Sequence, residues 1–178
     1  MAAVRDIFDF LDGLAAFDTQ MDFDNAGFLV GRSGRKVTHL LVSLDITEEV
    51  VEEAGALGAE LIVSHHPVIF HPVRSITDQD PVGRTLLAMV EKGISAICAH
   101  TNLDAAVGGV NDALAARLGL TDTVVLEPSG TDREGRPIGI GRAGIVADGA
   151  PTSTAEYASF VKKTLGANGV RYVDAGRP

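Results

Sequence analysis

Histidine and aspartate side chains follow three strands of the predicted sheet, at the points where those strands end. In a doubly wound sheet, the loops at the carboxyl ends of the strands lie along one edge, and ligands bind there. We therefore expect five side chains to meet at this edge without any special folding assumption: Asp45, His65, His66, His100 and Asp104.

Imidazole and carboxylate groups together suit borderline divalent metals such as zinc, manganese, iron or nickel. In an extended chain the adjacent side chains of His65 and His66 point to different sides, which favours two ions over one chelated ion. Two ions about 3.5–4 Å apart can activate a water molecule and polarise a bond that is to be cleaved. The spacing therefore favours a metal site with hydrolytic chemistry.

Structural roles stay open for the same residues. A pair of adjacent histidines is often a surface feature or part of a capped turn, and a strand-end aspartate such as Asp45 is more often a helix N-cap than a ligand. His71, next to Pro72, is expected to be solvated, and His39 is expected to be structural within its strand. The second histidine and the aspartate after the neighbouring strand favour the metal interpretation.

Three other candidates for chemistry have simpler explanations. The segment 139–144 matches G-x-G-x-x-G, but the residues after it continue as a strand, so we expect bulges or close backbone packing and not dinucleotide binding. Ser64 lies beside the histidines, and nothing favours a nucleophile over an ordinary turn serine there. Cys98 lies in an apolar run and is expected to be an inert core residue.

Apolar periodicity predicts strands that alternate with helices. The expected strands are 37–44, 61–63, 94–99, 138–147 and 170–173, and the expected helices are 3–17, 81–92, 109–118, 154–165 and one that starts at Thr47 and ends at Gly58. This alternation favours an α/β fold, with a mostly parallel sheet, helices on both faces and the start of a second α/β lobe. The turn-rich stretch 127–137 divides a metal-site lobe, 1–126, from the beginning of the second lobe, 127–178.

Composition limits the classes of partner. The 178 residues include 24 acidic and 15 basic side chains, and the net charge of −9 repels nucleic acid on average. The single cysteine cannot form an intramolecular disulfide, which fits a reducing compartment. The first ten residues carry acids within their apolar pattern, unlike a signal peptide, and no apolar run approaches the roughly 18 residues of a membrane span. We expect a cytoplasmic protein with no nucleic-acid partner and no membrane contact.

Several motifs occur together in a characteristic order. In chain order they are Asp24-Asn25-Ala26-Gly27-Phe28-Leu29-Val30-Gly31, Ser43-Leu44-Asp45, Ser64-His65-His66-Pro67-Val68, Ala99-His100-Thr101-Asn102-Leu103-Asp104 and Gly108-Gly109-Val110-Asn111-Asp112. With these motifs the chain resembles the Nif-three-like family, whose bacterial members are often called GTP cyclohydrolase 1 type 2 homologs. The resemblance covers nearly the whole chain and is strongest over 22–120.

The resemblance implies two divalent metal ions per subunit, with His65, His66 and Asp104 as ligands. It gives His100 a catalytic role in the same pocket, supporting the ligands or handling a proton. It also implies a two-lobed α/β subunit and a homohexameric ring whose metals face an interior cavity. One activity of the family is hydrolytic opening of the GTP purine ring with release of formate, and GTP or another nucleotide is the implied partner.

Two other functions fit the same residues. The chain could be a non-catalytic metal-binding module whose oligomer presents surfaces to partner proteins. It could instead be a metal-dependent phosphoester hydrolase, which predicts activity on generic aryl phosphates without a preference for guanine.

The chain departs from the family pattern at two places. Phe23 stands where the family has a tryptophan before the Asp-Asn pair, a conservative packing change. Family members continue past Pro178, and a later histidine and glutamate complete their metal set, whereas every histidine here lies at or before His100. We therefore expect a truncated form with three or four of the ligands, which an intact mass well above 18.6 kDa from the native source would support.

Overall fold

The computed structural model describes residues 1–146, 149, 151, 153–174 and 176. The strands are β1 (Ala2–Ala3), β2 (Gly27–Val30), β3 (Lys36–Val37), β4 (Leu40–Ser43), β5 (Leu61–Ser64), β6 (Ser95–Cys98), β7 (Leu120–Thr131) and β8 (Pro137–Val146). The helices are α1 (Val4–Leu14), α2 (Glu48–Ala56), α3 (Pro81–Lys92), α4 (Thr101–Ala105), α5 (Val110–Arg117) and α6 (Thr154–Thr164). No helix in the described ranges is both long and apolar enough to cross a bilayer.

A four-stranded sheet with the order β2-β6-β5-β4 forms the centre of the fold. Strands β4, β5 and β6 are parallel, and β2 runs antiparallel along the outer edge of β6. The connections between the parallel strands contain α2 and α3, as expected for β-α-β units. The predicted α/β fold with a mostly parallel sheet is confirmed.

Alternate side chains of the sheet supply two apolar clusters, one on each face. On one face, Ile62 of β5 packs with Val51 of α2 and Met89 of α3, all fully buried. On the other face, Leu61 of β5 packs with Val4 of α1. Helices therefore cover both faces, as the sequence predicts.

Local signals determine where the helices α2 and α3 begin and end. The Thr47 side chain accepts a hydrogen bond from the backbone N–H of Val50 and caps α2. Asp80 caps α3 in the same way, with Gly83 N–H as donor at 2.9 Å. Gly93, at φ 66°, ends α3 in the left-handed conformation that glycine adopts without strain. The predicted bounds of α3 are confirmed.

The predicted strand 37–44 is interrupted in the structure. The carboxylate of Glu60 accepts hydrogen bonds from the backbone N–H groups of Thr38 and His39, both at 3.0 Å. These two donors are therefore satisfied by a side chain and leave the ladder, so β3 and β4 are separate strands and His39 lies between them.

The predicted helix 3–17 ends early, at Leu14. Asp12 accepts a hydrogen bond from the backbone N–H of Phe17, and Phe17–Thr19 then form a short 3-10 turn. The predicted helix 109–118 is α5, which spans Val110–Arg117, and a separate short helix, α4, precedes it.

The prediction of turns over 127–137 is wrong for residues 127–131, which belong to β7. Strands β7 and β8 form one long antiparallel hairpin, and only 132–136 make the turn, held by backbone N–H groups that donate to the Asp132 carboxylate. A register shift between Pro128 and Gly130 accommodates the proline in β7. The lobe division at 126/127 stays a prediction.

Two predictions for the end of the chain have different outcomes. The predicted strand 170–173 is wrong, since the structure assigns no strand to these residues and no described strand pairs with them. The predicted strand 138–147 corresponds to β8, although Ala147 lies outside the described residues.

Close contacts attach the hairpin to the rest of the chain. Arg142 of β8, whose side chain is 5% exposed, pairs with Asp112 of α5 and donates to the carbonyl of Ala106. Gly139 lies so near β7 that a Cβ there would be 2.1 Å from the carbonyl oxygen of Glu127. The glycines of 139–144 therefore serve close backbone packing, as predicted from the sequence.

The edge strand β4 leaves apolar side chains in solvent. Leu40 is 46% exposed and Val42 is 74% exposed, on the face where Val42 shares a narrow apolar cleft of about 160 Å³ with Leu11 and Leu14 of α1. An open strand edge with apolar side chains is a template for association with another chain.

We expect Val42→Lys to weaken self-association of the chain by roughly tenfold, because a charge on the open edge must be desolvated when the edge is covered. Sedimentation velocity over a range of protein concentrations measures the change. Val173→Lys is the matched control, since Val173 is 87% exposed and lies outside the sheet. Equal association of the two variants would contradict a role of this edge.

Candidate metal centre

Five side chains were expected from the sequence to meet at one edge of the sheet. They lie at the carboxyl edge of the parallel strands. Hydrogen bonds between the strands continue past the strand ends: the N–H of His65 donates to Ser43 O at 3.2 Å and that of His66 donates to Leu44 O at 2.8 Å. In the same way, Ala99 N–H donates to Ser64 O at 3.0 Å, directly before His100. The ladder therefore fixes the backbone from which these side chains project.

The rings of His65, His66 and His100 form a compact triad, which we call the histidine triad. Their centroids are 5.1 Å apart for His65–His66 and for His65–His100, and 5.5 Å apart for His66–His100. One ring nitrogen of each lies within 4.8 Å of one nitrogen of each of the others, so the triad could hold a metal ion.

Each ring of the triad has an oxygen acceptor at Nδ1. These acceptors are the carbonyl of Ala99, 3.0 Å from His65 Nδ1, and the carboxylates of Asp45 and Asp24. Asp45 Oδ1 is 2.7 Å from the Nδ1 of His66, and Asp24 Oδ1 is 2.8 Å from that of His100.

Because carbonyl and carboxylate oxygens only accept, we place a proton on each Nδ1. A neutral ring then keeps its lone pair on Nε2. Metal-binding histidines usually donate their other N–H to such an oxygen, which fixes the tautomer and the ring orientation. The donor set of the triad therefore fits a divalent ion.

Asp104 lies beside the triad, on the short helix α4. Its Oδ1 is 3.8 Å from His65 Nε2, and its side chain is 24% exposed. That separation is too long for a hydrogen bond. Among the described residues, the cluster of potential ligand atoms within 4.8 Å of one another consists of the three histidines, and Asp104 lies beside it. The Asn111 side chain donates to the backbone carbonyl of Asp104 at 2.9 Å and so ties α4 to α5.

Asp24 is the principal residue of the site that the sequence did not identify. Its side chain has no exposed surface and accepts from His100 and, through Oδ2, from the N–H and the hydroxyl of Thr101. Burial is the largest influence and raises the pKa of Asp24, but the hydrogen bonds from Thr101, His100 and Asn25 together bring that pKa below its ordinary value. A charged carboxylate therefore orients His100.

The strand-end rule could not have found Asp24. Since β2 is antiparallel to its neighbour, the start of β2 and not its end lies beside the carboxyl end of β6, with Gly27 opposite Cys98. Asp24 precedes β2 and so reaches the site from the opposite chain direction. The only signal in the sequence was its place in a motif of the resemblance.

Asparagines fix the loops around His100. Asn102 is fully buried, accepts from the backbone N–H of His100 at 2.9 Å and donates to Ala15 O at 2.7 Å. Asn25 donates to Ile69 O at 2.6 Å and so joins the Asp24 segment to the loop after the paired histidines. Neither asparagine was predicted as a site residue.

Ser64 and Cys98 support the site from beneath. The hydroxyl of Ser64 donates to His66 O at 2.8 Å, and the thiol of Cys98 donates to His65 O at 2.9 Å. Burial raises the pKa of the Cys98 thiol to about 12, so it stays protonated. Both side chains hold backbone carbonyls, and the prediction of an inert core cysteine is confirmed.

Asp45 accepts from His66, and the neighbouring Thr47 is the cap of α2. The N-cap is therefore Thr47 and not Asp45, and the Asp45 carboxylate lies against a ring of the triad. His71 lies outside the triad, exposed and packed against Phe70 with the ring centroids 4.8 Å apart.

A cavity of about 730 Å³ lies elsewhere in the structure. It is lined by residues 18–23 and by the hairpin residues 129–133, and the histidine triad does not line it.

Comparison with known proteins identifies relatives of the whole chain. The model of the DUF34/NIF3 family (NGG1p interacting factor 3) matches residues 2–178. A Clostridium perfringens protein named GTP cyclohydrolase 1 type 2 homolog is 35% identical over 169 residues, which are 95% of this chain and 63% of the relative. A protein of the same name from Halalkalibacterium halodurans is 44% identical over 109 residues, 61% of this chain and 29% of the relative.

Solved structures show the same relationship. A hypothetical protein of Staphylococcus aureus superposes with a TM-score of 0.86 at 28% identity and covers 96% of this chain and 67% of its own. A Bacillus cereus protein related to NIF3 superposes with a TM-score of 0.69 at 39% identity over 72% of this chain and 36% of its own. The chain thus spans less than two thirds of the two curated relatives. The match over 2–178 shows that the chain belongs to the DUF34/NIF3 family.

Proposed function

We propose that the chain is a divalent-metal-dependent hydrolase whose metal centre is the histidine triad with Asp104. The observation that carries this proposal is the state of the three rings: each Nδ1 faces an oxygen acceptor, and one nitrogen of each ring lies within 4.8 Å of the others. A divalent ion bound there would supply Lewis acidity and lower the pKa of water.

The residues of the chain divide into ligands and supports. His65, His66 and Asp104 are the proposed ligands, as the family resemblance implies. The carboxylates of Asp45 and Asp24 hold the rings of His66 and His100 in the tautomer that directs Nε2 to the site. Two ions per chain remain the expectation, and zinc, manganese, iron and nickel are all compatible with this donor set.

His100 occupies a position in which it can act as a third imidazole ligand. The resemblance implies that His100 supports the ligands or handles a proton. In the structure its Nδ1 is held by buried Asp24 in the same way as the His66 ring is held by Asp45. The geometry thus favours His100 as a ligand. A ligand role and a proton-handling role predict different results for one variant.

We expect His100→Gln to reduce bound metal together with hydrolysis, since Gln supplies a weaker ligand at this position. A residue that only transfers protons would lower turnover, typically by about 10²–10⁴-fold, and leave the metal content unchanged. Elemental analysis and turnover are measured on the same preparation. His71→Gln, an exposed histidine outside the triad, is the control.

The proposed substrate is GTP, and the proposed reaction is hydrolytic opening of its purine ring. Support comes from the names of the relatives, which are GTP cyclohydrolase 1 type 2 homologs. The expected result is formate release from GTP in the presence of a divalent ion, lost in His65→Ala and Asp104→Ala. Hydrolysis of p-nitrophenyl phosphate without a preference for guanine would favour a phosphoester hydrolase instead.

A non-catalytic role is the second candidate, because the histidine triad could hold a metal ion without catalysing a reaction. Tight metal binding without turnover of any nucleotide would favour a metal-binding module that assembles with partner proteins. The homohexamer implied by the resemblance is proposed for both candidates, and light scattering tests it.

A further inference from the structure

An exposed aromatic side chain, Phe70, lies beside the histidine triad. It belongs to the loop between β5 and α3, a few residues after the paired histidines, and the residue is 38% exposed. The centroid of its ring is 6.3 Å from that of His100, and the two ring planes make an angle of 88°. Phe70 is therefore a large apolar side chain at the edge of the sheet where the proposed hydrolysis takes place.

The hydrophobic core does not account for the position of Phe70. Val68, two residues earlier, packs against the apolar cluster around Ile62, whereas Phe70 belongs to neither apolar cluster of the described residues. The rings around it are imidazoles: His100 and the exposed His71, whose centroid is 4.8 Å away. A single exposed apolar side chain is common on protein surfaces, so the position beside the triad is the informative feature.

Hydrogen bonds hold the backbone on the amino-terminal side of Phe70. The Asn25 side chain donates to Ile69 O at 2.6 Å, and this bond ties the loop to the segment that carries Asp24. Earlier in the loop, the N–H of His66 donates to Leu44 O at 2.8 Å. A side chain on a backbone that is already fixed costs less ordering entropy when a ligand binds, which favours a role in binding.

The aromatic contacts of Phe70 leave it without a stacked partner among the described residues. Its ring meets those of His71 and His100 at interplanar angles of 70° and 88°, so both pairs are edge-to-face. The separation from His100 is near the upper end of the range of about 4.5–7 Å for aromatic pairs, and this contact does not bury the ring. A planar ligand on the exposed part of Phe70 would supply the stacked partner.

We propose that Phe70 binds the base of the substrate by stacking. The inference rests on the proposed function, in which the purine ring of the substrate is opened at the metal centre. Because the ring that is opened must lie at the metal ions, the base and not the phosphate groups comes close to a side chain that contacts His100. Every base has a π-face, so stacking on Phe70 selects a planar heteroaromatic ring and gives no preference between purines.

The test is equilibrium dialysis of the full chain with labelled guanosine in the presence of zinc. Guanosine carries the base without phosphate groups, so its affinity reports the contact with the base. We expect Phe70→Leu to weaken guanosine binding at least about fivefold, as the loss of a base–aromatic stack typically does. Phe70→Tyr keeps the aromatic face and should stay within about twofold of the wild type. Phe10→Leu is the matched control, because Phe10 is 64% exposed on α1, outside this loop.

Bound zinc is measured on the same preparations, because Phe70 also contacts a ring of the triad. Weaker guanosine binding in Phe70→Leu at unchanged zinc content would support the proposal. Absence of guanosine binding to the wild type, equal affinity in the wild type and Phe70→Leu, or a loss that occurs only together with loss of zinc would overturn it.

The proposed function and the stacking site fail in different ways. If GTP yields no formate although Phe70→Leu weakens guanosine binding, the proposed reaction is wrong and the base-binding role of Phe70 stands. If GTP yields formate and guanosine affinity is the same in the wild type and Phe70→Leu, the reaction stands and the role of Phe70 is wrong.

Discussion

His65→Gln is expected to lower the affinity of the chain for a divalent ion by about 100-fold or more. Loss of a residue that only hydrogen-bonds a metal ligand typically costs about 10- to 100-fold, and loss of the ligand itself should cost at least as much. His65 is central to the site, since its ring is 5.1 Å from both other rings and its Nε2 is 3.8 Å from Asp104. Titration with zinc or manganese against a competing chelator measures the change.

His39→Gln is the control for this substitution. His39 is exposed, lies between β3 and β4, and contacts Thr38 through its Nδ1 at 3.1 Å, away from the carboxyl edge of the sheet. Its loss should leave metal affinity within about twofold, as expected for a residue that contributes no ligand. Equal metal affinity in the His65 and His39 variants would contradict the assignment of the triad.

Asp24→Ala is expected to destabilise the fold by about 3 kcal/mol, because it leaves buried donors without an acceptor. The carboxylate has no exposed surface and accepts from His100, from the backbone N–H and hydroxyl of Thr101, and from the N–H of Asn25 at 2.7 Å. No neighbouring oxygen replaces it in the described contacts. Urea denaturation of the metal-free chain measures the free energy of unfolding.

Asp45→Ala is the matched control, because Asp45 also accepts from a histidine of the triad. Its side chain is 57% exposed, so water replaces the lost acceptor and the expected loss of stability is below about 1 kcal/mol. Both variants should weaken metal binding, by about 10- to 100-fold. Equal destabilisation by the two substitutions would contradict the structural role given to the buried carboxylate.

The sequence was sufficient to predict the edge at which the site lies. Apolar runs located β5 and β6, and the rule for parallel strands then placed Asp45, His65 and His100 together. That inference needed no side-chain detail, since the ladder extends the strand order directly to these residues.

Sequence reasoning could not predict that Asp24 supports the site, because this depends on the direction of the edge strand β2. Asp24 enters from an antiparallel strand, and whether an edge strand runs parallel or antiparallel is decided by tertiary packing and not by its own residues. The long hairpin was missed for a related reason. Glycine, proline and polar residues in 127–131 suggest turns, yet pairing with β8 and a register shift keep them in a strand.

The metal content of the wild-type chain is the most direct test of the account. Protein purified without chelators and without a tag is examined by elemental analysis, beside His65→Gln prepared in parallel. The account predicts about two divalent transition-metal ions per chain in the wild type and close to none in the variant, because the histidine triad supplies the shared ligands. Metal near zero in both, after incubation with excess zinc or manganese, would contradict it.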